Sequence, residues 1–247
     1  MQQEQLECGM PAGPDEVHQL IQQLEPVRYK FADDKMAVAA VYSSVNPKHD
    51  ARITAYSKAI NVLNSLQLSL TFISKHLLHN QWWQAVARNP IPDQDKQIYA
   101  NEFANFTKIA FVQGMFLAIE SSIRIFLRAL DSTACNGGMA EFKSIYECLF
   151  RSKLSAAPPD GIALLDLLRL VRNTIHNNGV YFHPSGDNAS ITWDDETFEF
   201  KQGVPIDFVT WGFLIRISEA LRHLLRKVVE DSSLKAIYVE IDDPFSH

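Results

Sequence analysis

The chain has 247 residues, of which 47% are hydrophobic and 11% aromatic, so it can bury a sizeable core in one or two domains. Its formal net charge of -6 excludes a protein that coats nucleic acid through a broad basic surface, although a local basic cleft needs only a few cations. Its three cysteines lack the paired spacing of a disulfide framework, and its N-terminus lacks the layout of a secretion signal. We therefore expect a cytoplasmic protein with reduced thiols.

The N-terminal part of the chain, residues 14–97, is predicted to be a helical segment that packs on the rest of the molecule. Residues 1–13 are polar and contain glycine and proline, which is typical of a flexible tail. Residues 16–24 fit a short helix that ends at Pro26, because proline cannot donate the helical hydrogen bond. The apolar segment 36–45 fits a helix or a strand.

Two long helices are predicted in the middle of the chain. Apolar residues recur at intervals of three and four over residues 50–80 and again over 99–130, so the two helices should pack along each other. The second is apolar nearly all round, which places it at the centre of a bundle or against a second subunit. Charged residues interrupt it, so we expect a buried helix and no membrane span. Glu120 and Arg124 are spaced to pair within it; alternatively, Glu120 reaches arginines of a later helix.

Residues 98–247 are predicted to form a helical domain with a β-hairpin inserted at about residues 180–203, so that the whole chain is one compact, mainly α-helical unit. The hairpin is expected to pack on the helices or, alternatively, to form a flap over a site beside His176. The final helix carries a basic outer face that we expect to be solvated. The predicted elements are a turn at 136–138, helices at 140–150, 160–175 and 205–229, and strands at 180–183, 189–193, 197–200 and 235–241.

The helix predicted over residues 160–175 carries the best clue to function. Asp160 is a suitable N-cap, and the string Asn177-Asn178-Gly179 suits a left-handed stop. Apolar residues fall on one side at about 100° per residue, and four polar residues share the other side. An ordinary solvated helix face would have the same composition. The four residues, named the polar strip below, are Arg169, Arg172, Asn173 and His176.

The string Arg172-Asn173-Thr174-Ile175-His176-Asn177 resembles the signature of the HEPN superfamily. In that signature an Arg, often followed by Asn, precedes a His by four to six residues near the end of a late bundle helix. Three residues separate Arg172 from His176 here, and six separate Arg169 from His176. The resemblance covers about residues 99–180 and part of the helix near 206–229. It implies an up-and-down helical bundle with the hairpin as an insertion.

The resemblance also implies a metal-independent endoribonuclease that works as a homodimer, of the toxin–antitoxin, phage-defence or stress type. His176 would be its general acid or base, and Arg172 or Arg169 would bind the phosphate. Asn173 would orient the histidine or contact the phosphate. The implied partners are RNA, a second copy and an antitoxin or defence-system protein. Candidates for contacts to the substrate are Asn177, Glu120, Arg124 and His183.

A non-catalytic HEPN-like module that binds nucleotide, RNA or protein is the alternative. The short gap between Arg172 and His176 and the acidic net charge favour it. Neither hypothesis requires a cofactor, and the sequence has no glycine-rich phosphate loop, GxSxG or HExxH motif. His76 and His79 are spaced i, i+3 without an evident third ligand, so an ordinary helix end is favoured over a metal site.

Overall fold

A computed structural model describes residues 13–134 and 141–244 of the chain. The tail predicted over the first residues and the turn predicted at 136–138 therefore lie outside the described residues, apart from Gly13. Within the described ranges the protein is mainly α-helical with one small antiparallel sheet. Its α-helices are α1 (Pro14–Val41), α2 (Ala51–Phe72), α3 (Asn80–Val86), α4 (Asp93–Leu130), α5 (Phe142–Cys148), α6 (Gly161–Ile175), α7 (Trp211–Val229) and α8 (Ser232–Lys235), and its strands are β1 (Ala189–Trp193) and β2 (Glu196–Phe200). Short π-helical segments, Ile73–Leu77 and Leu149–Lys153, directly follow α2 and α5.

The long helix α1 runs without a break through Pro26, so the prediction that a short helix ends there is wrong. The ring removes one backbone donor, but Leu24, Val27 and Phe31 on the same helix are almost completely buried. Burial of this apolar face outweighs the weak local preference against a proline in a helix. The ambiguous segment that follows is helical as far as Val41.

Helices α2 and α4 pack along each other, as predicted, and α2 also packs on α1. Gly114 of α4 permits the close approach, because a Cβ atom at this position would lie 3.1 Å from Cγ2 of Val62. On its other sides α4 contacts α5, α6 and α7. By length and composition alone α4 could cross a membrane, and it is the one described helix that could. Half of its most apolar window is buried inside the protein.

The hairpin of β1 and β2 confirms the strands predicted around residues 189–193 and 197–200. Asp194 and Asp195 join them, and both have positive φ angles, 54° and 59°, as a two-residue turn of the primed type requires. The strand predicted at 180–183 is wrong. The backbone there makes an isolated bridge between Val180 and Pro205, and buried Tyr181 packs against Phe200.

Helix α7 begins at Trp211, later than predicted, because the side chain of Thr210 accepts a hydrogen bond from the amide of Phe213 and caps it. Its basic face is not freely solvated. Arg222 is buried and donates to Asp34 of α1 over 2.6 Å, and Arg226 donates to the same carboxylate over 2.8 Å. The expectation of a solvated basic face is therefore wrong at this part of α7, because α1 packs on it.

The strand predicted at 235–241 is also wrong, since this segment follows α8 as irregular backbone. Its carbonyl groups are held by Arg52, which is fully buried together with Asp50. The guanidinium donates to Ile237 O over 2.7 Å and to Val239 O over 3.0 Å, while the Asp50 carboxylate accepts from the amide of Ile241 over 3.0 Å. We call the buried pair of Asp50 and Arg52 the C-terminal clamp.

Asp231, between α7 and α8, binds the loop that precedes α6 through hydrogen bonds. Burial raises the pKa of its carboxyl group, but hydrogen bonds from the Ser155 hydroxyl and from the amides of Ser155, Ser233 and Ala156 outweigh burial and lower that pKa from 3.8 to about 2. Because the folded-state pKa is depressed, the stabilisation is complete above about pH 4 and is lost as the pH falls through about 2.

Asp231→Asn is therefore expected to lower the free energy of unfolding by about 2 kcal/mol near neutral pH and by much less near pH 2. Urea unfolding of wild type and variant from pH 2 to 6 measures the difference. Asp33→Asn, at an exposed carboxylate on α1, is the matched control and should shift stability by less than about 0.5 kcal/mol. A stability difference that does not change with pH would contradict this role for the Asp231 carboxylate.

Candidate functional site

Helix α6 carries the polar strip and ends as predicted. Asn178 and Gly179 adopt positive φ angles of 55° and 83°, and the Gly179 amide donates to Thr174 O over 3.1 Å, which closes the last turn. The predicted N-cap hydrogen bond of Asp160 is wrong. Asp160 is itself left-handed, with a φ angle of 55°, and its side chain accepts no capping bond. Instead, the amide of Gly161 donates to Pro158 O over 3.1 Å.

Arg169, the first residue of the polar strip, belongs to a partly buried ionic cluster. Its Nη2 donates to Asp166 Oδ1 over 3.0 Å, and the Tyr146 hydroxyl donates to the same oxygen over 2.7 Å. Burial lowers the pKa of Arg169, but hydrogen bonds with Asp166 and Tyr146 outweigh it, so the pKa lies above its usual value. Arg169 therefore neutralises Asp166 on its own helix. This pairing could have been predicted from the sequence, because the two residues are spaced i, i+3 on one helix.

Arg172 is the arginine of the polar strip that has no described carboxylate partner. Its guanidinium lies over the Phe116 ring of α4, 5.1 Å from the ring centroid, and Nη1 donates to Asn173 Oδ1 over 3.1 Å. Nε is buried without a hydrogen-bond partner. Over the described ranges of the chain, no carboxylate lies within ion-pair distance of Arg172, in contrast to Arg169. A cation stacked on an aromatic ring and held by one amide retains donors for an anionic ligand.

His176 lies one turn after Arg172 and is exposed to solvent. Its Nε2 is 3.3 Å from the side-chain nitrogen of Gln113 on α4. Gln113 and Phe116 are three residues apart on α4, so one face of that helix meets both His176 and Arg172. Neither α4 residue could be identified from the sequence, because periodicity does not show which face of a long apolar helix meets α6. Among the other predicted residues, Asn177 donates a long bond of 3.4 Å to Asn173 O.

Glu120 and Arg124 pair with each other within α4, as the first alternative predicts. Nε and Nη2 of Arg124 donate to the same Glu120 oxygen over 3.0 and 2.6 Å. The Glu120 carboxylate is thereby engaged on its own helix, and the described contacts do not join it to the polar strip. His183 lies in the loop before β1, where its ring contacts Ser185 over 2.6 Å.

The hairpin packs beside the first half of α6, so the prediction of a flap over His176 is wrong and the packing alternative is confirmed. Residues of β1 line a cavity together with Ile162 and Ala163 near the start of α6. At about 1.5 Å per residue, these positions are about 20 Å from His176 along the helix. Trp193 at the hairpin tip is buried, with Arg216 of α7 over its ring.

An exposed apolar stripe follows α4 past the polar strip. Phe106, with 64% of its surface exposed, and Leu117, with 58%, are its most exposed members. Gln113, which contacts His176, lies between them on the same helix. We call this surface the α4 stripe, and its exposed residues are Tyr99, Phe106, Ile109 and Leu117.

No group of three or more His, Cys, Asp or Glu side chains that could hold a metal occurs in the described part of the chain. The ring of His79 instead contacts Ser74 O over 3.0 Å, and the ring of His76 packs on Phe72 and Trp82. Comparison of the chain with models of protein families, with curated proteins and with solved structures gave no match.

Proposed function

We propose that the chain is a HEPN-like, metal-independent endoribonuclease whose site is formed on α6 by Arg172 and His176. One observation carries the proposal. A guanidinium without a described carboxylate partner and an exposed imidazole lie one turn apart on the same side of α6, both against α4. Arginine suits bidentate binding of phosphate, and imidazole suits proton transfer near neutral pH.

In the proposed reaction the ribose 2′-oxygen attacks the adjacent phosphorus and the bond to the 5′-oxygen breaks. An imidazole takes the proton of the 2′-hydroxyl, and a proton is delivered to the departing 5′-oxygen. The Arg172 guanidinium donates to the non-bridging oxygens, where negative charge grows in the transition state. Asn173 holds the guanidinium, and Gln113 positions the ring of His176. The products are a 2′,3′-cyclic phosphate and a 5′-hydroxyl.

The proposed enzyme is a homodimer. In a dimer one imidazole can take the proton of the 2′-hydroxyl while the imidazole of the second copy delivers a proton to the 5′-oxygen. The α4 stripe supports this arrangement, because it exposes large apolar side chains beside the residue that contacts His176. Pairing of two such stripes would bring two polar strips to one cleft. The proposed setting is cytoplasmic, in a toxin–antitoxin, phage-defence or stress system, with RNA as the substrate and an antitoxin or defence protein as a further partner.

The experiment that tests the enzyme is incubation of purified protein with a mixed RNA pool in EDTA. We expect fragments that end in 2′,3′-cyclic phosphate and 5′-hydroxyl groups. Arg172→Ala should reduce the cleavage rate by about 10²–10³-fold, the loss that follows removal of one donor to a developing oxyanion. Arg88→Ala removes an exposed arginine just before α4 and should leave the rate unchanged. An inert wild-type protein, or an undiminished rate with Arg172→Ala, would count against the proposal.

The dimer has a separate test. Leu117→Glu places a charge in the α4 stripe and should raise the dissociation constant of the dimer at least about tenfold, or about 1.4 kcal/mol. Leu68→Glu, at a side chain of α2 that is 71% exposed, is the matched control and should leave the constant unchanged. Sedimentation velocity over a range of concentrations measures both. If the wild-type protein is monomeric at every concentration tested, no second imidazole is available and the two-imidazole mechanism is excluded.

A non-catalytic module that binds RNA or nucleotide through the same strip is the second candidate. The pairing of Arg169 with Asp166 favours it, because it leaves the strip of each chain with one guanidinium that has no described carboxylate partner. In that case wild-type protein binds RNA but leaves it intact in EDTA and in Mg²⁺, and Arg172→Ala weakens binding. Filter binding alongside the cleavage assay distinguishes the two functions.

A further inference from the structure

A cavity of about 330 Å³ lies at the C-terminal end of α6, next to the polar strip. Its volume is at the lower end of the range of small-molecule sites, about 300–1,000 Å³. The walls are mostly apolar, formed by Ile109 of α4, Ile175 of α6 and the segment that precedes α7. Three side chains supply its polar groups: Asn105, Lys108 and Asn178.

Lys108 is the unusual member of this lining, because only 5% of its surface is exposed although it carries a charge. Its ammonium lies 5.2 Å from the centroid of the buried Trp211 ring. Asn105 and Asn178 are exposed residues whose side chains line the cavity. The cavity thus combines apolar walls, one buried cation and two amides that can donate or accept.

The order of residues along α4 connects this cavity to the proposed catalytic residues. Ile109 lines the cavity, Gln113 contacts His176 and Phe116 lies under Arg172. At about 1.5 Å per residue, the first step is about 6 Å and the second about 4.5 Å. On α6, Ile175 in the cavity wall directly precedes His176. A group bound in the cavity would therefore be a near neighbour of a phosphate at the polar strip.

We propose that the cavity binds the nucleobase next to the phosphate that is cleaved, and that it prefers guanine. Apolar walls suit the faces of a base, and an ammonium group only donates hydrogen bonds. Guanine presents two acceptors, O6 and N7, on one edge and is the usual base partner of lysine, whereas adenine places an amino group beside N7. This inference rests on the proposed function, since it assigns the substrate of that site.

Binding of the four nucleoside 3′-monophosphates, measured by isothermal titration calorimetry, tests the cavity without any cleavage. We expect guanosine 3′-monophosphate to bind wild-type protein at least about tenfold more tightly than the other three. Lys108→Met keeps most of the side-chain volume and should abolish this preference. Asn178→Gly removes an amide at a positive φ angle that glycine tolerates, and should weaken guanosine binding about three- to tenfold. Asn61→Ala, on the exposed surface of α2, is the matched control and should change nothing.

The outcomes separate this inference from the proposed function. Equal binding of all four nucleotides, or a guanosine preference that survives in a folded Lys108→Met protein and in Asn178→Gly, overturns the base site. If RNA is cleaved in EDTA without preference for guanosine, the enzyme stands and the base site fails. If guanosine 3′-monophosphate binds selectively but RNA stays intact, the base site stands and the enzyme fails.

Discussion

Arg52→Met is expected to lower the free energy of unfolding by about 3–5 kcal/mol, the range found when one partner of a buried ion pair is removed. The loss has two parts. Asp50 would remain buried without its cation, and the carbonyl groups of Ile237 and Val239 would lose their donors. The guanidinium also stacks on Tyr42, 3.9 Å from the ring centroid, so methionine fills the volume but loses this contact.

Urea unfolding measures the effect, and two further variants make the result interpretable. Arg52→Lys keeps the charge but cannot donate in a planar fork to both Asp50 oxygens, so it should recover only part of the stability. Arg88→Met changes an exposed arginine and should stay within about 0.5 kcal/mol of wild type. If Arg52→Met and Arg88→Met were equally stable, the C-terminal clamp would contribute nothing to folding.

His176→Ala is expected to reduce the rate of RNA cleavage by about 10²–10⁴-fold, the usual contribution of a positioned acid or base. The ring is exposed, and within the described residues its hydrogen-bonding neighbour is Gln113, so the free energy of unfolding should change by less than about 0.5 kcal/mol. RNA affinity should be retained, because the Arg172 guanidinium remains. The comparison of cleavage rate, affinity and stability therefore isolates proton transfer from substrate binding.

His18→Ala is the matched control for the histidine test. This ring is exposed on α1, where it contacts Gln22, and its removal should leave cleavage unchanged. A His176→Ala protein that cleaves RNA at the wild-type rate would exclude the imidazole from the chemistry. A proportional loss of cleavage and RNA affinity would assign His176 to binding instead.

Much of the fold could be predicted from local patterns. The apolar periodicity that indicates the helix from residue 50 and α6 is carried mostly by residues that are buried in the structure, whereas the same periodicity on α4 includes the exposed side chains of Phe106 and Leu117. The hairpin could be predicted because apolar and polar side chains alternate on both sides of Asp194-Asp195. The positive φ angles of these two residues suit a tight turn. These features depend on residues that are close to one another in the sequence, so the sequence alone is enough to predict them.

Features that depend on distant residues could not be predicted. Pro26 continues a helix because α1 is buried against other helices, and residues 235–241 do not form a strand because buried Arg52 binds their carbonyl groups. The polar strip shows the same limit. Its four residues share a helix face as predicted, but only the structure distinguishes Arg169, held by Asp166 and Tyr146, from Arg172, which lies on Phe116.

The contacts that join the two ends of the described chain have a consequence for the kinetics of folding. Arg52 and Ile237 are separated by 185 positions, Asp34 and Arg222 by 188, and Asp50 and Ile241 by 191. Individual helices form within about a microsecond, whereas closure of such long loops must be completed before these contacts stabilise anything. Refolding of this helical protein should therefore be slow for its secondary-structure class. It should pass through an intermediate in which the helices have formed but α1 and α7 are not yet docked.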